Sequence, residues 1–364
     1  MVARYTTYLL LAMVFGMILL GGIVHGTGSS LACPDWPLCY GEVMPEMTGG
    51  ILFEHSHRLL GAAIGIAVIV LSVGLYRIDR RRVSGGFTYG VGLAAVLGQL
   101  AIFGVAVSSA RLGSLWLEAL LLIVFALAAL SLFTRGMRLT AFGLVALELV
   151  VIQGLLGGIT VVMRLPPLVS TIHLGIAMAL LGGLTLLAFR LTANDVLGTT
   201  LANRGLLAVA GAAVFVQIVL GAFMRHTGST LACGTELLTC QGAFFGAGGA
   251  AHTAWLHRWF AFLVAALVIA ATVPVIRAAR RRRRQWVPFF AISAHGLLVL
   301  QIVLGFAALV NYVPVSLATM HQGVGALLLV SLSAAFASAG PLGNRFDAVA
   351  DQPRAVPSGM LEVA

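Results

Sequence analysis

Charge is scarce in this chain. Asp, Glu, Lys and Arg make up 9% of its 364 residues, and lysine is absent, so all 22 basic residues are arginine. So little polar surface cannot coat a water-soluble globule of this length, which excludes a soluble domain. A hydrophobic content of 60% and a mean hydropathy of +1.03 point the same way, to an integral membrane protein. Cysteine is nearly absent too, with four residues. No small-residue cleavage site follows the first apolar run, Tyr8 to Val24, so that run is expected to be a retained anchor rather than a removed signal peptide.

What is present is a series of apolar runs of roughly 20 residues, each long enough to cross a bilayer of about 30 Å. Their punctuation predicts ten helices, at 8–25, 54–76, 87–108, 113–134, 140–163, 169–190, 204–225, 252–276, 287–311 and 315–338. The expected fold is an all-α polytopic membrane bundle.

A net charge of +10 would ordinarily suggest nucleic acid. The arginines instead gather in short connections, such as Arg77 with Arg80 to Arg82, and Arg277 with Arg280 to Arg284. If the first helix runs outward, 17 arginines lie inside or in the tails, leaving Arg58, Arg111, Arg164, Arg225 and Arg258 outside. That asymmetry predicts a multi-pass protein of a bacterial-type cell membrane with both termini cytoplasmic, in contact with lipid and not with nucleic acid.

The cysteines fall in the two longest outer connections, as CPDWPLC at 33–39 and CGTELLTC at 233–240. Disulfides persist outside the cytoplasm, and each pair would close a short ring that stiffens its loop. Free thiols or a metal site are the alternative, although neither ring has a histidine interleaved at zinc-like spacing.

The loops belong to a longer repeat. TGSSLAC at 27–33 returns as TGSTLAC at 227–233, and His57-Arg58 returns as His257-Arg258, both at an offset of 200. Gln153, Gly157 and His173 return as Gln301, Gly305 and His321 at an offset of 148. The difference of 52 residues is about one helical hairpin, which predicts duplicated four-helix units with a hairpin inserted in the first. The expected divisions are 1–195, holding the insert at about 85–136; 196–340; and a disordered cytoplasmic tail, 341–364. Within the insert, GQLAIFG at 98–104 echoes QGLLGG at 153–158, with Glu118 near where a histidine would fall.

Four histidines, His57, His173, His257 and His321, form the repeated set. Each lies three to six residues inside the outer end of its expected helix, hence within roughly 10 Å of the outer surface. A membrane histidine is commonly a packed, hydrogen-bonded residue, yet intramembrane ionisable groups are functional candidates. Two histidines at one depth could clamp a metal. Zinc would want further ligands that neither half supplies, whereas haem needs two axial ligands, and an apolar four-helix bundle suits a flat macrocycle. Two haems, one per half, fit the duplication. Arg58 and Arg258 are candidate propionate contacts, with snorkelling to lipid headgroups as the alternative. His25, His55, His226, His252 and His295 receive no role.

The halves differ at Glu54, one turn before His57, where the second half has Ala254. One half would then do chemistry while the other stores or passes electrons. Alternatively Glu54 is a helix-terminus residue; at that end it is expected to be partly solvated, and its loss to cost about 0.3–1 kcal/mol.

These motifs together resemble the haem A synthase family (CtaA/Cox15 type): CPDWPLC, the run from Glu54 to Arg58, the hairpin from QGLLGG to His173, and His257 with His321. The resemblance spans about 8–85 and 138–338. It implies oxidation of the haem O methyl group to the formyl group of haem A, destined for cytochrome oxidase, in an eight-helix pseudo-symmetric membrane protein. It further implies Glu54, His57 and His173 at the substrate-haem site, His257 and His321 as axial ligands of a haem b, and disulfides Cys33–Cys39 and Cys233–Cys240. Haem O synthase and cytochrome oxidase assembly factors are the expected protein partners. Ten helices rather than eight depart from the family, and the inserted hairpin opens the question of which helices surround the first-half haem. A di-haem b-type electron-transfer protein is the competing function. A transporter ranks last, because the polar groups lie near the outer surface rather than at mid-membrane.

Overall fold

In hydrocarbon the backbone has no water to bond with, so apolar segments of this length satisfy their N–H and C=O groups internally, as helices. The computed structural model describes residues 1–81, 83–109, 115–192, 199–281 and 287–340, with side chains at all of these except 100, 102–109, 115–119 and 287. The chain forms α1 (Val2–Gly26), α2 (Gly49–Asp79), α3 (Gly86–Ser109), α4 (Leu115–Thr134), α5 (Arg138–Val162), α6 (Pro167–Thr192), α7 (Leu201–His226), α8 (Gly249–Arg281), α9 (Val287–Val310) and α10 (Val315–Ser338). Among the described residues α1, α2 and α5 to α10 are long and apolar enough to cross a membrane. The 24 and 20 residues of α3 and α4 give them comparable reach. The protein is therefore a polytopic all-α membrane protein.

Several helices outrun their apolar stretches. α2 begins at Gly49 rather than 54, and α8 runs from Gly249 to Arg281 rather than 252–276. His57 and His257 thus lie eight residues into their helices, about 12 Å along the axis and deeper than the apolar runs suggest.

The helices close into two rings. α1 packs on α2, α2 on α5, α5 on α6 and α6 on α1; α7, α8, α9 and α10 contact in the same cyclic order. The rings meet where α10 touches α1 and α6, and where α6 touches α7. Helix association in lipid depends on close approach of small residues. Gly143 of α5 shows this: a β-carbon there would lie 2.9 Å from the Ser72 Cα of α2.

The hairpin α3–α4 packs on itself and against α5, outside the first ring. Tyr89 of α3 stacks on Tyr76 of α2 at 4.5 Å and lies 3.2 Å from the Ser72 hydroxyl. Gln99 donates to Glu148 of α5 at 3.3 Å. The Glu118 side chain and the tail 341–364 lie outside the described residues. Asp79, at the end of α2, accepts from the Thr140 amide (2.8 Å) and hydroxyl (3.0 Å), capping the first turn of α5.

Two loops cover one end of the bundle. Each is closed by a disulfide, Cys33–Cys39 and Cys233–Cys240, and all four sulfurs are buried. An acidic side chain organises each ring. Asp35 accepts from the amides of Tyr40 (2.6 Å) and Gly41 (2.8 Å), and Glu236 accepts from the Thr239 hydroxyl (2.6 Å) and the Gly242 amide (3.1 Å). Burial alone would raise the Asp35 carboxyl, but the Gly41 and Tyr40 amides outweigh it and hold it below the usual carboxylate range. Glu236 is held low by the Thr239 hydroxyl first and the Gly242 amide second.

Candidate functional site

Below the disulfide loops a cavity of about 890 Å³ runs through both rings, and His57, His173, His257 and His321 all open on it. His57 and His173 are close enough to interact electrostatically, as are His257 and His321. The sequence suggests one site per half; the structure joins the two in one cavity. None of its lining comes from the described side chains of α3 and α4, so the first pair is enclosed by α1, α2, α5 and α6.

Each histidine faces a glycine on the neighbouring helix. A β-carbon on Gly21, Gly157, Gly221 or Gly305 would lie 3.2, 3.8, 2.7 or 2.9 Å from the Cε1 of His57, His173, His257 or His321 respectively. At Gly221 and Gly305 the ring could not stay where it is, and at Gly21 it would have to give. Gly157 and Gly305 carry the repeat in the sequence. Gly21 and Gly221 share its offset of 200, a signal that could have found them.

A glutamine contacts three of the four histidines, two through the backbone and one through the ring. Gln153 and Gln217 donate to the carbonyls of His173 (2.7 Å) and His257 (2.9 Å), while Gln301 lies 3.2 Å from the His321 ring. His321 Nδ1 in turn donates to the Gln301 carbonyl at 3.1 Å. The offset that pairs Gln217 with the first half falls on Met17, so His57 has no such partner. Nδ1 of His57, His173 and His257 is buried without a hydrogen-bond partner among the described residues. Unsatisfied imidazoles around a mostly apolar cavity fit a metallated macrocycle, whose iron takes a ring nitrogen as ligand.

Glu54 also lines the cavity and is 4% exposed. This corrects the expectation of a partly solvated helix-end residue. Its Oε2 accepts from the Cys33 amide at 2.8 Å and its Oε1 from Arg58 Nη2 at 2.5 Å. The same guanidinium donates to the carbonyls of Asp35 (2.6 Å), Cys33 (3.3 Å) and Leu38, so its four terminal N–H bonds are all engaged in tying α2 to the loop. Arg258 donates to the carbonyls of Gly234 (3.1 Å) and Glu236 in the second loop. Ala254 stands in Glu54's place in the second half and is fully buried.

The folded loops bring other residues in. Trp36 packs on Gly158 of α5, where a β-carbon would lie 2.9 Å from the indole, and with Pro37 and Leu38 it roofs the first half of the cavity. His55 lies within 4.8 Å of Cys33 and Cys39, a proximity invisible in the loop sequence. The sulfurs are bonded to each other, so thiolate ligation of a metal is not open to them. His55 donates to the Val43 carbonyl at 2.8 Å. Away from the cavity, His252 stacks on Phe245 at 4.3 Å and His295 lies 3.1 Å from the Thr272 hydroxyl.

Fold and site together define a polytopic helical membrane protein in which two histidine pairs open on one apolar cavity beneath disulfide-closed loops. Residues 4–52 and 110–333 match the COX15-CtaA family, described as cytochrome oxidase assembly protein, and the chain belongs to that family. The unmatched stretch, 53–109, contains Glu54 and His57, whose place in the site rests on the geometry above. The chain is similar to the haem A synthase of Bacillus licheniformis, with 24% identity over 85% of this chain and 87% of that one. It is also similar to those of Geobacillus kaustophilus (26% identity, over 80% and 76%) and Shouchella clausii (25%, over 87% and 88%).

Proposed function

We propose that the chain is a haem A synthase, oxidising a methyl group of haem O to the formyl group of haem A. His57 and His173 would hold the substrate haem, and His257 and His321 would hold a resident haem b. The conversion replaces two hydrogens with one oxygen and withdraws four electrons overall, so it needs both a redox partner and a place for protons. The bound haem irons supply the redox chemistry. The chain supplies the enclosure, the orientation and the proton acceptor.

The observation that carries this reading is the carboxylate at one histidine pair only. Glu54 opens on the shared cavity, fixed from both sides by Arg58 and the Cys33 amide, and is positioned to take a proton from a reacting methyl or to hold water against it. Electron transfer alone gives no reason for a carboxylate to open on the cavity at one histidine pair and not the other. Trp36, Pro37 and Leu38 line the Glu54 half of the cavity on the loop side.

In this reading the arginine-rich end and both termini face the cytoplasm of a bacterial-type cell, with the disulfide loops outside. Haem O synthase and cytochrome oxidase assembly factors are the natural neighbours, one delivering the substrate and the other receiving the product. Mass identification of pigments extracted from the purified protein tests the assignment. Haem O or haem A beside haem B is the expected result; haem B alone, in cells that make haem O, would favour a di-haem electron carrier instead.

A further inference from the structure

Among the described residues Arg225, in the cavity wall, is held neither by an anion nor by a loop. From the last turn of α7 it reaches across to the first ring, donating to the Gly22 carbonyl at 3.3 Å and to Gln322 at 3.4 Å. Both contacts are long and both acceptors neutral, leaving most of the five N–H donors of a guanidinium unmet. No carboxylate pairs with it among the described residues. A charge partly withdrawn from water is costly unless it meets a partner, so an unpaired guanidinium facing a ligand cavity marks a place for an anion.

Its surroundings strengthen the point. His25 of α1 stands at the position equivalent to Arg225 under the offset of 200, and its ring meets that of His226 edge-on at 4.9 Å. Thr171 of α6 gives its hydroxyl proton to the Pro167 carbonyl at 2.7 Å, so its 3.0 Å contact with His226 is a bond donated by Nδ1–H of that ring. His226 is thereby held in one orientation. Arg225, His25 and His226 all line the cavity, between the two histidine pairs. Arg225 is four residues beyond Gly221, which faces His257, and His25 is four residues beyond Gly21, which faces His57. The cluster therefore lies one helical turn, about 6 Å, nearer the disulfide end than either histidine pair.

We propose that Arg225, flanked by His25 and His226, is a carboxylate-binding subsite that anchors the propionate groups of the macrocycles held by the two histidine pairs. This rests on the haem reading above. Arg58 and Arg258 are the alternatives by sequence, but Arg58 has its terminal donors committed to Glu54 and loop carbonyls, and Arg258 is tied through both terminal nitrogens to the Gly234 and Glu236 carbonyls of the second loop. Arg225 has only two long contacts, to neutral acceptors on other helices. A planar guanidinium takes a carboxylate with two parallel hydrogen bonds, and at the junction of the rings it can serve either half.

The test uses the full chain, purified in detergent from haem-limited cells and titrated with ferric protoporphyrin IX or its dimethyl ester, with binding read from the Soret band. The parent is expected to bind the diacid more tightly than the diester. Arg225→Gln should weaken diacid binding about 10- to 100-fold, the weight of a charge-assisted hydrogen bond, and leave diester binding within about twofold. Arg225→Lys should restore part of the preference. Equal weakening of both ligands by Arg225→Gln, or a parent that does not distinguish them, overturns the subsite while leaving the haem assignment standing. A parent that binds neither ligand overturns the haem reading, and the subsite with it.

Discussion

Replacing Glu54 with Gln separates chemistry from architecture. Glu54 and Arg58 have side chains 5% and 11% exposed, and the carboxylate also accepts from the Cys33 amide. Deleting it outright, as in Glu54→Ala, strands a buried guanidinium and should cost about 3–5 kcal/mol. Gln keeps an acceptor for the Cys33 amide and a weaker one for Arg58, turning a charge-assisted bond into a neutral one. The expected stability loss is then about 1–2 kcal/mol, roughly twice the loss of a helix-end charge yet small enough to leave the protein folded. If the carboxylate accepts protons during the reaction, haem A formation should fall by about 10²- to 10⁴-fold, a barrier increase of roughly 3–5 kcal/mol. The assay is expression with a haem O source, scoring haem A by extraction and folding by thermal melting and the haem b spectrum. Near-parental haem A formation by the Gln variant would refute the role. Loss of the haem b spectrum in step with activity would show Glu54 to be an architectural residue.

His257→Met and His321→Met should each abolish or strongly alter a low-spin haem b spectrum, because an axial ligand sets spin state and potential; unchanged spectra in both variants would remove the ligand assignment. Gly221→Ala should disturb the haem b spectrum more than Gly157→Ala disturbs substrate-haem binding, since the added β-carbon meets the imidazole at 2.7 Å in one case and at ordinary contact, 3.8 Å, in the other; spectra and haem titrations of the two variants compare them. Asp35 and Glu236 have folded-state pKa values below their unfolded ones, so the order they lend the loops is fully present above the unfolded carboxylate range, about pH 4, and is lost as pH falls through the lower folded values. Hydrogen-exchange protection in residues 33–42 and 233–243, taken relative to the intrinsic rate at each pH, should fall below about pH 4; protection that stays constant there would show that the disulfides alone order the loops.

Local chemistry made much of this protein legible in its sequence. Apolar runs of bilayer length leave only helices open to the chain, and the arginine distribution and duplicated histidines follow from counting residues, with no knowledge of contacts. Glu54 stood out because a repeat makes a one-sided residue conspicuous against Ala254. Only the tertiary structure decided what required distant segments to meet. With the second helix expected to begin at residue 54, Glu54 reads as a solvated helix end, yet the helix begins at Gly49 and the first loop folds over it, supplying the Cys33 amide from 21 residues away. The joining of both histidine pairs in one cavity, the packing of the inserted hairpin outside the ring, and the meeting of His25 with Arg225 and His226 are likewise set by which helix faces which. In lipid that choice turns on shape and close approach of small residues rather than on hydrophobicity, because every face of these helices is apolar and the sequence pattern gives none of them a preferred inside.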